Sequence, residues 1–116
     1  MEKVSLILRL LDKAKEEVKN FELSEDPTFL MQGAEKIYVA YTLLLEKIVG
    51  GELTSHQEIR NFSRFLGKKD RVINKLYKIA EILHSYHYEG RIDPELIKKD
   101  ILLAITLIKN KLKVVR

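Results

Sequence analysis

Residues 83–112 read LHSYHYEGRIDPELIKKDILLAITLIKNKL. The segment joins an aromatic, histidine-bearing helix end to a Gly90-x-x-Asp93-Pro94 turn, and the turn to a long apolar helix. Aspartate can accept the free N–H groups of a first helical turn, and proline suits the first helical position. The spacing therefore predicts a helix from Pro94 to about Val114. Ile97, Ile101, Ala104, Ile105, Ile108 and Leu112 recur at threes and fours and form one stripe; Leu96, Leu103, Leu107 and Val114 form a second, displaced around the helix. The helix before the turn runs from Arg71 to about Tyr88, capped by Asp70 and ended by Gly90. Its inward side is Val72, Ile73, Leu76, Ile79, Ala80 and Leu83.

Towards the N-terminus the same period continues. Val4, Ile7, Leu8, Leu11, Ala14, Val18 and Phe21 predict a first helix from about Glu2 to about Asn20. Asp26-Pro27 repeats the aspartate-proline start, and Gly50-Gly51 supplies the stop for a second helix ending at Val49. That helix carries Leu30, Ala34, Ile37, Tyr38, Tyr41, Leu45 and Ile48, with Val39 and Leu43 beside them. Ser55 and Glu58 have capping-box spacing. They open a short helix to Leu66, with Ile59, Phe62, Phe65 and Leu66 expected to face inward. No stretch alternates like a strand, and no repeat matches across the two aspartate-proline starts. The expected fold is all-α: one domain over residues 1–116, an antiparallel bundle of four long helices and one short one.

Two of these helices, the second and the last, are apolar on more than one side. One central helix can be covered all round in so short a chain; two cannot. Exposed apolar rows of this kind mark an interface, and a symmetric dimer is the commonest closure. Val39, Leu43, Leu96, Leu103 and Leu107 are the candidate residues of a homodimer seam.

The chain has 116 residues and no cysteine, which excludes disulfides and thiolate metal sites. This fits a cytoplasmic protein. Abundant Lys, Glu and Ile is a composition met in heat-adapted proteins. The longest apolar run, Ile101 to Ile108, is far short of a membrane span and is bounded by Asp100 and Lys109. The N-terminus is too often interrupted by charge for a signal peptide. Net charge is +4, unevenly spread: residues 1–59 hold 7 basic and 11 acidic side chains, residues 60–116 hold 14 basic and 6 acidic. The basic half either attracts the acidic half or presents a surface to a polyanion.

Lys68, Arg71, Lys75 and Lys78 recur at three, four and three and form one basic stripe, with Lys69 nearby and Arg64 as an extension. Such a stripe can meet successive phosphates. No aromatic residue alternates with it. His84 and His87 share a helix side, away from the lysines, and His56 is distant in sequence. A His-x-x-His pair could ligate a metal with Glu89 or Asp93, but two hydrogen-bonded histidines at a helix end are the simpler reading, so neither a metal site nor a cofactor is expected. No Gly-x-Ser-x-Gly elbow or phosphate loop is present.

Leu83-His84-x-x-x-Tyr88-Glu89-Gly90-Arg91, followed by Ile97, Ile101, Ile105 and Ile108, resembles the archaeal PaREP family. Ala34-Glu35-Lys36-Ile37-Tyr38-x-Ala40 after Asp26-Pro27 is similar to that family's second helix. The resemblance implies a small helical bundle of the HEPN-like and nucleotidyltransferase C-terminal group, dimeric, with a nucleic-acid or nucleotidyltransferase partner. Ribonucleases of the HEPN group carry an arginine, four to six residues, then a histidine. Here only Lys78 stands at that spacing before His84, and lysine lacks the planar fork of arginine. The resemblance thus implies a non-enzymatic interaction protein. The alternative is a metal-independent ribonuclease with His84 or His87 as acid or base and Lys78 or Arg91 steadying the phosphate.

Overall fold

The computed structural model describes residues 2–89 and 92–115. They form five helices and, among the described residues, no strand: α1 (Glu2–Ser24), α2 (Thr28–Val49), α3 (His56–Gly67), α4 (Arg71–Glu89) and α5 (Pro94–Val114). The proposed stop at Gly90 lies outside the described residues.

α1 buries Ile7, Leu11, Ala14, Val18 and Phe21 on one side. It runs a turn beyond the expected end near Asn20, because Phe21 is itself a core residue and holds that turn against the bundle. The helix stops where Glu25 takes a positive φ of 61° and donates its N–H to the Phe21 carbonyl at 2.7 Å.

α2 is the central element and packs against all four other helices. Leu30, Ala34, Ile37, Tyr38, Ala40, Tyr41, Leu44 and Leu45 are buried along one broad side of it. Gly33 lies where α2 meets α1 and α5: a Cβ there would stand 3.4 Å from both the Glu17 Cβ on α1 and the Ile101 Cδ1 on α5, about ordinary contact distance. Gly50 ends the helix with φ 82°, a conformation that side chains resist. Within the same end, the buried Glu46 carboxylate accepts the Leu53 N–H at 2.9 Å and lies 3.4 Å from Lys3 Nζ. The loop before α3 is thus pinned to α1 and α2.

α3 begins as its capping residues dictate, with one difference. Ser55 Oγ accepts the Glu58 N–H at 3.1 Å, but the Glu58 carboxylate reaches back to the Thr54 N–H and hydroxyl instead of the Ser55 N–H. Only Ile59 and Ser63 are buried along α3, Ser63 through a 2.7 Å hydrogen bond with the Tyr41 hydroxyl. Phe65 does not face inward as expected. It follows Ser63 by two residues, which places it on the opposite side of the helix, 68% exposed. Phe62 and Leu66 are half-buried at the edge.

α4 is capped by Asp70, whose Oδ1 accepts the Val72 and Ile73 N–H groups at 3.0 and 3.2 Å while Lys111 of α5 donates to its other oxygen. α5 starts with Pro94 at its N-terminus and Asp93 accepting the Glu95 N–H at 3.0 Å. All six residues of its expected core stripe are buried. Buried side chains from every helix join in one core. Among the described residues no helix is long and apolar enough to cross a membrane.

Candidate nucleic-acid interface

The α3–α4 hairpin has its own charge pattern. Between residues 60 and 78 it carries Arg60, Arg64, Lys68, Lys69, Arg71, Lys75 and Lys78 against a single acid, Asp70. That acid is already engaged by Lys111 and two backbone amides. Burial alone would push the Asp70 carboxyl up, but these hydrogen bonds and the lysine charge together hold it below the ordinary carboxylate range. Arg64, Lys68, Lys69, Arg71, Lys75 and Lys78 are all exposed. No lysine or arginine of residues 60–78 forms an ion pair among the described residues; elsewhere Lys3, Lys36, Lys98 and Lys111 do, while others such as Lys13 and Lys99 do not, so what sets the hairpin apart is the density of its cations. On α4 the spacing sets Arg71, Lys75 and Lys78 in one outward row, opposite Leu76, Ala80 and Leu83. No aromatic residue belongs to that row; on α3, Phe65 stands exposed three residues before Lys68.

The three histidines meet at the other end of the same hairpin. His56, remote in sequence, is the first residue of α3 and lies beside His84, their rings stacked with centroids 5.2 Å apart. Tyr38 of α2 stacks on His84 at 4.1 Å and hydrogen-bonds His56 Nδ1 through its hydroxyl at 2.7 Å. His56 Nε2 faces Glu81 at 3.3 Å. His87 is tied to α2 twice, with Nδ1 bonded to the Met31 carbonyl oxygen at 2.8 Å and Nε2 3.3 Å from Glu35. Tyr88 stands edge-on to both His84 and His87. His84 Nδ1 is buried without a hydrogen-bond partner. Burial lowers the His84 pKa from its ordinary 6.5, aided by the charges of His56 and His87 and opposed by Glu35 and Glu81. Burial also pushes the Tyr38 phenol up to about 12, with the charges of Glu81 and Glu35 acting in the same direction.

The candidate residues are therefore divided. His84 and His87 stay on one side of α4 and gain His56, Tyr38, Glu35 and Glu81 as neighbours. Lys78 does not join them: six residues before His84, it points to solvent about 120° away around the helix. Arg91 lies outside the described residues. Among the described residues, no three His, Asp or Glu side chains converge as a metal site. Of the candidate seam residues, Val39, Leu96 and Leu103 are exposed, Leu96 at 54% and Leu103 at 37%; Leu43 and Leu107 are half-buried against the core. The convergence of His56 with His84 was not visible in the sequence, since nothing in the 27 residues between them encodes a shared position. No family model, curated protein or solved structure matches the chain.

Proposed function

We propose that this chain is a non-enzymatic, HEPN-like interaction protein, with four long helices and the short α3, which pairs with a second copy of itself and binds nucleic acid through the α3–α4 hairpin. The observation that supports it is the row of exposed cations on that hairpin without carboxylate partners. Cations held by a fold and left uncompensated displace counterions from a phosphate backbone, which is a large favourable term for binding at low salt. Lysine predominates in the row, and it meets phosphates as a point charge without reading sequence. The state of the histidines also supports a non-enzymatic role. Both nitrogens of His56 and of His87 face protein groups, and one nitrogen of His84 is buried. The test is fluorescence anisotropy of labelled mixed-sequence RNA and DNA across a salt series. Binding weakens with a log–log slope of about −3 to −5, as for roughly four to six phosphate contacts. Lys68→Glu with Lys75→Glu removes most of the affinity. A slope near zero, or no binding at low salt, overturns the reading.

One observation favours a ribonuclease reading: His56 and His84 stand side by side, next to a carboxylate and a phenol. A neutral His84 could accept the proton of a ribose 2′-hydroxyl, and a protonated His56 could donate one to the leaving oxygen. Arg60, one turn on from His56, is the cation of α3 whose charge bears on Tyr38. Cleavage of mixed RNA by the native chain, lost in a His84→Ala, His87→Ala variant or in His56→Ala, would replace the non-enzymatic reading.

A further inference from the structure

Among the exposed large apolar side chains, Phe65 is the phenylalanine. It is 68% exposed in the last turn of a short helix, on the face opposite the buried Ser63. Phe62, one turn earlier, is half-buried and packed on the core, so its ring is a fixed floor. Asn61, Phe62 and Phe65 line a shallow surface slot of about 290 Å³. Arg64 adjoins Phe65 in sequence and Lys68 follows it by three residues, both exposed, so cations stand next to the slot along the chain although none lines it.

An exposed aromatic face with cations close by along the chain supplies two elements that bind an unpaired nucleotide, a surface for stacking and charge for the phosphates; the slot itself is apolar and offers no readout of the base edge. We infer that the slot lined by Asn61, Phe62 and Phe65 receives an unstacked base, so that the nucleic acid bound by this hairpin is single-stranded. The inference rests on the nucleic-acid reading of the same hairpin and specifies its substrate. A duplex keeps its bases stacked inside and offers Phe65 only a sugar–phosphate edge. A second copy of the chain is a poorer occupant. A two-fold interface at the slot would set the neighbouring cations against themselves, and like charges facing each other oppose association.

The experiment compares a labelled single-stranded 12-mer, as RNA and as DNA, with the matched duplex, for the native chain, Phe65→Ala and Phe65→Trp. The native chain binds the single strand on the order of tenfold more tightly than the duplex, as expected for one stacked base. Phe65→Ala removes that margin and leaves duplex affinity and its salt dependence within about twofold of native. The chain has no tryptophan, so Phe65→Trp supplies a unique fluorophore. It keeps the margin, and its emission is quenched by the single strand and not by the duplex. Because Phe65 is mostly exposed, neither variant loses helical circular dichroism. Equal binding of single strand and duplex, unchanged in Phe65→Ala, overturns this inference and leaves the charge-based reading standing. Failure of the native chain to bind either form overturns both. A change in sedimentation of Phe65→Ala with no change in nucleic-acid affinity assigns the slot to a protein surface and also overturns it.

Discussion

His84 sits where a positive charge is poorly tolerated. Its ring is stacked on Tyr38, Tyr88 meets its edge, and its Nδ1 is buried without a partner. The consequence for stability has a definite sign. The folded state resists the proton that the unfolded chain accepts, so this residue's contribution is fully present above the unfolded value of 6.5 and is lost as pH falls through the lowered folded value. The thermal midpoint of the native chain therefore drops between about pH 7.5 and pH 5. His84→Phe keeps a flat ring against Tyr38, removes the unsatisfied nitrogen and has no charge to gain. Its midpoint is higher than native, and the drop is smaller; a steeper drop than native, followed by circular dichroism, would contradict the assignment. The His84-x-x-His87 spacing was legible in the sequence. The role of each ring was not, because Tyr38, Glu35 and Met31 reach it from another helix.

The helices begin and end where short-range chemistry places them, and their caps have consequences beyond one turn. Asp70 joins α4 to α5: its carboxylate caps the α4 amides and receives Lys111. Asp70→Ala removes the cap and leaves Lys111 without its partner. It costs about 1–2 kcal/mol in urea denaturation, the range of a lost N-cap. Asp70→Asn keeps the capping oxygen and costs less. A cost for Asp70→Ala below a few tenths of a kcal/mol would show that the cap contributes little. Cap positions at Asp70, Asp93 and Ser55 were readable because the capped amides lie two or three residues on. The extra turn of α1 was not, since it depends on Phe21 finding a place in the core.

Across the molecule, α2 is the helix that packing covers most completely, and α5 is the one it leaves open. Leu96, Leu103 and Val114 remain exposed in a row on the outer side of α5, with Leu107 half-buried among them. In the proposed dimer that row closes against its two-fold copy. The native protein is expected to sediment as a dimer at micromolar concentration. A charge placed in the seam, Leu103→Glu, shifts it to a single subunit without loss of helix. A native chain that sediments as a single subunit would remove the seam. The exposed cations of α3–α4 lie on other helices, so under the proposed function this variant is expected to match the native chain in the anisotropy assay.

The linear chain was sufficient for the presence of five helices, the capping side chains of Ser55, Asp70 and Asp93 and the inward stripe of α5, because each is written within about one or two turns and needs only a 3.6-residue period and local hydrogen bonds. It misplaced Phe65, whose direction follows from how α3 is fixed to Tyr41 through Ser63, a contact between residues 22 apart. It also left His56 apart from His84. Bringing those rings together requires α2, α3 and α4 to be packed, and the packing follows from the summed burial of a core to which all five helices contribute.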